Sequence, residues 1–193
     1  KFKDKTTAKP EKLSAIVTRS LLPEYRHDVI IKAFSILNQM GINFVLTIVG
    51  DGTELPKLKQ LVKKLNIESK VCFTGRIVNT ELPKLLQEAN FYISMPTTEG
   101  VSASLFEAMA THCYPIVTNI AGNKSWIQHR QNGQLVNVDD YKMLAEELQW
   151  SYENHDYRTK AIINNRKLVE EQADYNTNMN IIAHKYHELI NTT

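Results

Sequence analysis

Short apolar runs rich in β-branched residues alternate along this chain with longer stretches in which apolar side chains recur every three or four positions. A continuous apolar run of five or six residues suits a strand buried on both faces. A three-to-four spacing lays one helical stripe against a sheet, so the alternation predicts βα units around a parallel sheet. The runs LSAIVT (13–18), FVLTIVG (44–50), KVCFTG (70–75), NFYISM (90–95), YPIVTN (114–119) and QLVNV (134–138) predict six strands. Helices are predicted over 24–40, with Val29, Ala33, Ile36, Leu37 and Met40 on one face, and over 53–65, with Leu55, Leu58, Leu61, Val62 and Leu65. Three more are predicted over 80–89, 101–112 and 122–130, and Gly41 stops the first helix. Beyond residue 140 there are only helical stretches, broken near Asn154 and Asn176, that pack on the sheet or reach toward another domain. The expected fold is α/β, a doubly wound six-stranded parallel sheet with C-terminal helices over residues 13–193, behind a polar leader at 1–12.

Composition narrows the function classes. The charges nearly balance, 23 Lys+Arg against 21 Asp+Glu, so the net +2 makes no case for nucleic acid. Lys1, Lys3, Lys5, Lys9 and Lys12 make only the leader locally basic. Two cysteines, Cys72 and Cys113, sit inside apolar runs, which reads as buried thiols in a reducing compartment and places the chain in the cytoplasm. No apolar run is long enough to span a bilayer, KFKDKTTAKPEK is not a signal peptide, and the first residue is not Met. An excised domain with a partner domain missing upstream is the expectation. The abundance of Asn, Lys and Ile suggests an AT-rich microbial genome.

Open parallel sheets take ligands at the carboxyl ends of their strands, where strand order reverses. The loops there hold Arg19 to Arg26, GDG (50–52), GRIVNT (75–80), PTTEGVSAS (96–104) and NIAGNKSW (119–126). In TEGVSASLFEAMA (98–110) the turn leads into a helix whose start is crowded with small residues, Gly100, Ser102, Ala103 and Ser104. Unpaired N–H groups and the helix dipole attract an anion to such a start. On a helical rise Glu99 and Glu107 are roughly 12 Å apart, too far to share a proton and beyond the carboxylate spacing of glycosidases. An extended ligand with hydroxyls at both ends and an anionic middle fits that spacing. The plainer alternative is a capping Glu99 with Glu107 on the surface or in an ion pair.

EGVSASLFEAMA followed by PIVTNIAGN resembles the E-x7-E region of retaining glycosyltransferases of family 4, whose GT-B fold has two facing Rossmann-like domains. LSAIVTRSLLPEYRHDVIIKAFSIL, FVLTIVGDGTELPKLKQLVKKL and VCFTGRIVNTELPKLLQEANFYISMP are similar to that family's successive strand–loop–helix units, whereas GDG alone is weak. The chain resembles the C-terminal, donor-binding half.

That resemblance implies Glu107 on the ribose hydroxyls, Glu99 on the transferred sugar near the reacting carbon, and Arg19 on the diphosphate. It implies Gly75, Arg76 and Ile77 along the nucleobase, mainly through backbone contacts, which leaves uridine and guanosine open, with a mild preference for uridine. Glu99 and Arg19 are then the catalytic candidates, and no cofactor is implied beyond the nucleotide-sugar substrate. The implied acceptor is a hydroxyl, carried by a lipid-linked or polysaccharide precursor, a protein or a small metabolite and bound mainly by the missing N-terminal domain, which would also make any peripheral contact at the inner face of the membrane. Three departures stand out: Tyr25 replaces the family's lysine, so Arg26 or Lys124 becomes the second cation; Ser102 replaces a glycine nearest the phosphates; and THCYP is one residue longer than usual. A nucleotide-sugar epimerase, a phosphorylase or a non-catalytic binding module are the alternatives.

Other candidates read as structural. His184 and His187 lack a third ligand, and neither D-x-D nor H-E-x-x-H occurs, so no bound metal is expected. His112 ends a helix, Cys113 precedes a strand without an activating partner, and Trp126 and Trp150 are core or interface residues.

Overall fold

The computed structural model describes residues 12–191, so Lys1, Lys3, Lys5 and Lys9 of the expected leader lie outside the described residues. Six parallel strands, β1 (Leu13–Thr18), β2 (Phe44–Val49), β3 (Val71–Gly75), β4 (Phe91–Ser94), β5 (Tyr114–Thr118) and β6 (Gln134–Val136), form one sheet in the order β3-β2-β1-β4-β5-β6. Each lies within an expected run. β1, β4 and β5 are apolar on both faces because helices cover the sheet from both sides.

The helices are α1 (His27–Gln39), α2 (Leu55–Lys64), α3 (Leu82–Glu88), α4 (Ala103–Ala110), α5 (Ala121–Lys124), α6 (Tyr141–Glu153), α7 (His155–Gln172) and α8 (Tyr175–Asn191). Leu13, Ala15 and Val17 of β1 pack with α1, α2 and α6 on one side of the sheet. Ile16 and Tyr92 pack with α3, α4 and Val169 of α7 on the other. The period-two alternation of a strand therefore supplies both cores at once. On α8, Tyr175, Met179, Ile181, Ile182, Tyr186 and Ile190 are exposed, so this last helix does not settle on the sheet.

Four expectations change. The helix expected over 24–40 divides into a 3-10 turn at Pro23–Tyr25 and α1, because Arg26 between them is left-handed at φ 49° and its N–H returns to the Pro23 carbonyl. The helix expected over 122–130 stops at Lys124. Asn132 accepts from the Gln128 N–H and donates to the Trp126 carbonyl, at 2.8 and 2.9 Å, which winds the following residues into turns. Cys72 is exposed, since β3 is the edge strand of the sheet, whereas Cys113 is buried. The break expected near Asn176 falls at 173–174, where the Asp174 carboxylate accepts from the Thr177 N–H at 2.8 Å. Among the described residues no helix is long and apolar enough to cross a membrane.

Candidate functional site

Strand numbering runs outward from β1 in one direction and from β4 in the other, so the reversal of strand order lies between them. Arg19 follows β1 directly and Glu99 lies in the loop after β4. The two side chains meet across that gap as an ion pair, 15% and 18% exposed. The Arg19 guanidinium also lies 4.6 Å from the centre of the Tyr25 ring, so the tyrosine stacks on the arginine. Two backbone contacts fix the loops. The Thr97 N–H donates to the Glu24 carbonyl at 3.0 Å, and a Cβ on Gly122 would stand 2.3 Å from the Gly100 carbonyl oxygen. Only glycine lets the start of α5 come so near the segment carrying Glu99.

Arg19 also lines a cavity of about 290 Å³ at the ends of β1, β2 and β3, with Thr18, Ser20, Val49, Gly50, Asp51, Arg76, Ile77, Asn79 and Leu82. Gly50 closes it at φ +136°, where a Cβ would lie 2.4 Å from the Arg19 carbonyl oxygen. Gly75 accepts the Gly50 N–H at 2.9 Å. Arg19, Arg76 and Ile77 are thus brought together around one cavity. Ser20, Asp51 and Asn79 were missed, and the only signal for them was their place in loops after strands.

α4 begins at Ala103, so Glu99 stands in the irregular segment before the helix and the helical-rise distance to Glu107 does not apply. Gly100 and Ala103 are exposed at the helix start, Ser104 is half-buried, and Ser102 is 5% exposed with its hydroxyl turned inward and unpartnered. Glu107 sits on the accessible face of α4 with no ion pair among the described residues. Desolvation by its neighbours raises its carboxyl pKa above the usual glutamate range.

The two alternative cations differ in their surroundings. Arg26 donates to Asp139 at 2.6 Å and lines a different cavity, about 360 Å³, between α1 and α2. Lys124 is exposed at the end of α5. Beside Arg26 stands His27, 2% exposed with both ring nitrogens unpartnered. Burial lowers its pKa to about 4, so it is neutral at physiological pH. Nothing in the sequence marked it. Among the described residues no cluster of three or more His, Cys, Asp or Glu is placed to hold a metal ion.

The family model for glycosyl transferases group 1 matches residues 1–168. Protein CapJ of Staphylococcus aureus is 29% identical over 144 residues, 74% of this chain and 36% of CapJ. Among solved structures, Anabaena Alr3699/HepE in complex with UDP superposes at a TM-score of 0.85 with 19% identity, covering 92% of this chain and 49% of that one. The C-terminal domain of a glycosyl transferase group 1 family protein, LpcC, from Francisella tularensis superposes at 0.77 with 21% identity, covering 84% of this chain and 87% of that domain. This chain spans about a third of the length of CapJ and about half of HepE.

Proposed function

Since the chain belongs to the glycosyl transferases group 1 family, we propose that it is the donor-binding half of a retaining glycosyltransferase that moves a hexosyl group from a nucleoside-diphosphate sugar to a hydroxyl acceptor. The observation carrying this reading is the Arg19–Glu99 pair at the reversal of strand order, beside the start of α4. One cation and one carboxylate at a single point support a phosphate role for Arg19 and a sugar-hydroxyl role for Glu99. The complex of HepE with UDP favours uridine as the base.

In the proposed reaction the bond from the anomeric carbon to the diphosphate breaks with its electron pair passing to the phosphate oxygen. The acceptor oxygen bonds to that carbon from the face just vacated, and its proton passes to the departing phosphate. Arg19 and the first-turn N–H groups of α4 meet the developing negative charge. Each such donor supplies roughly 3 kcal/mol on the scale of an oxyanion contact. Glu99 orients the sugar, Glu107 accepts from the ribose hydroxyls, and Gly75, Arg76 and Ile77 flank the base. The acceptor, lipid-linked or polysaccharide, is held mainly by a second domain.

A thermal-shift titration with UDP and GDP tests the reading. Stabilisation by one nucleotide with no sugar transfer by the chain alone is expected. Failure of both nucleotides to stabilise it, or appreciable transfer by this chain alone, sinks the proposal.

A further inference from the structure

Serine at the position before a helix ordinarily turns its hydroxyl onto the N–H groups of the helix's first turn. Ser102 occupies that position at α4 and makes no such bond. Its Oγ is instead sealed inside the protein. The N–H groups of Ala103 and Ser104 consequently have no partner among the described residues.

The sheet beneath carries a group of buried hydroxyls. Ile16 of β1 is in register with Tyr92 of β4, and Thr18 and Ser94 follow them two residues on along the same face of their strands. Tyr92 packs with Leu105, Ala108 and Met109 of α4, which places its phenol under the helix start. Tyr92 is 0%, Ser94 4% and Ser102 5% exposed, and the hydroxyls of all three and of Thr18 are closed off from solvent without an aligned hydrogen bond. The hydroxyls of Ser94, Thr18 and Ser102 lie close enough to the Tyr92 hydroxyl to act on its ionisation. Burial outweighs them and keeps the phenol protonated. Arg19 is near enough for its charge to be felt there, and its Nε is another buried donor without a partner.

We infer that Tyr92 is a positioning residue: its buried phenol, grouped with the hydroxyls of Thr18 and Ser94, draws the Ser102 hydroxyl inward and so leaves the first-turn N–H groups of α4 open to the donor diphosphate. A hydroxyl at this position is then compatible with an anion site only because a second hydroxyl beneath it competes for it. Without the phenol, Ser102 rotates to cap its own helix and occupies the donors that the diphosphate needs. The inference rests on the anion-receiving reading of α4 given above.

The test compares binding of inorganic pyrophosphate and UDP to this chain by isothermal calorimetry, with thermal unfolding recorded alongside. Tyr92→Phe should weaken pyrophosphate binding several-fold without lowering the unfolding temperature, because a helix cap is gained as a ligand contact is lost. Ser94→Ala, which thins the same cluster, should act in the same direction. Ser102→Gly added to Tyr92→Phe should restore binding, since the competing cap is gone. A purely structural role for Tyr92 would give no such rescue. Unchanged pyrophosphate binding in Tyr92→Phe and Ser94→Ala overturns the inference, as does failure of Ser102→Gly to restore it. Pyrophosphate binding without UDP or GDP binding defeats the donor reading and leaves the role of Tyr92 to be decided on the pyrophosphate arm. Binding of none of these probes by the unaltered chain defeats both.

Discussion

Arg19 and Glu99 neutralise each other across the ends of β1 and β4. A diphosphate arriving at this point must compete with Glu99 for the guanidinium. UDP carries no sugar, so its binding reports the competition alone.

Glu99→Gln should therefore tighten UDP by a few-fold, on the scale of about 0.5–1 kcal/mol for releasing a partly exposed ion pair. The same change in the full-length enzyme should lower sugar transfer about 100-fold, because a contact to the reacting sugar is lost. Calorimetry on this chain and turnover of the full-length protein read the two effects separately. UDP binding weakened as much as transfer would reassign Glu99 to the nucleotide.

Glu107 offers a test that separates ribose from phosphate. Glu107→Ala should weaken UDP and leave pyrophosphate nearly untouched, and equal loss for both would sink the ribose assignment. Its raised pKa adds a pH signature. As pH falls, Glu107 takes up its proton earlier than an ordinary glutamate, which under the ribose assignment removes its acceptor for the ribose hydroxyls. UDP affinity should thus begin to fall above the normal carboxylate range and lose that dependence in Glu107→Gln. Stability moves the other way at this residue. A raised folded pKa favours the folded state fully below the unfolded pKa and loses that contribution as pH rises through the folded value.

His27 should make the fold acid-sensitive. Its pKa drops from 6.5 to about 4 on burial, so the unfolded chain binds this proton first as pH falls. The stability associated with the neutral ring is complete above 6.5 and is lost between 6.5 and about 4, to a limit of about 3 kcal/mol. Urea unfolding of the unaltered chain and of His27→Gln across that window should differ in slope by up to one proton. Parallel curves would show that the imidazole is charged in the fold.

Gly122→Ala probes the contact between the loops after β4 and β5. Its Cβ would meet the carbonyl oxygens of Gly100 at 2.3 Å and Glu99 at 2.9 Å, both backbone atoms with little freedom to move. A loss of about 1–3 kcal/mol in stability is expected from such overpacking. UDP binding should also weaken, measured by calorimetry below the unfolding transition, because the Glu99 segment must shift.

Much of this arrangement was legible along the chain. The six strands followed from apolar runs that buried parallel strands require, and the resemblance of the strand–loop–helix units to a known family named Arg19, Arg76, Ile77, Glu99 and Glu107 as candidates. The helix expected over 122–130 failed because its apolar spacing said nothing of Asn132, whose amide reaches back to Gln128 and Trp126. Cys72 was misjudged because a strand's position at the sheet edge is a property of topology, absent from local composition.

What the sequence by itself determined was the alternation of elements and the residue types at each strand end, since both are set by neighbours within one turn or one strand. Which of those residues meet was decided only by tertiary structure. Arg26 turned away to Asp139 while Arg19 turned to Glu99 and Tyr25, although both arginines occupy the same loop. Ser102, a cap by its position, has its hydroxyl sealed inside, above the strand that carries Tyr92. Hydrogen-bond direction depends on which donor and acceptor the fold brings within reach, and linear order does not carry that information.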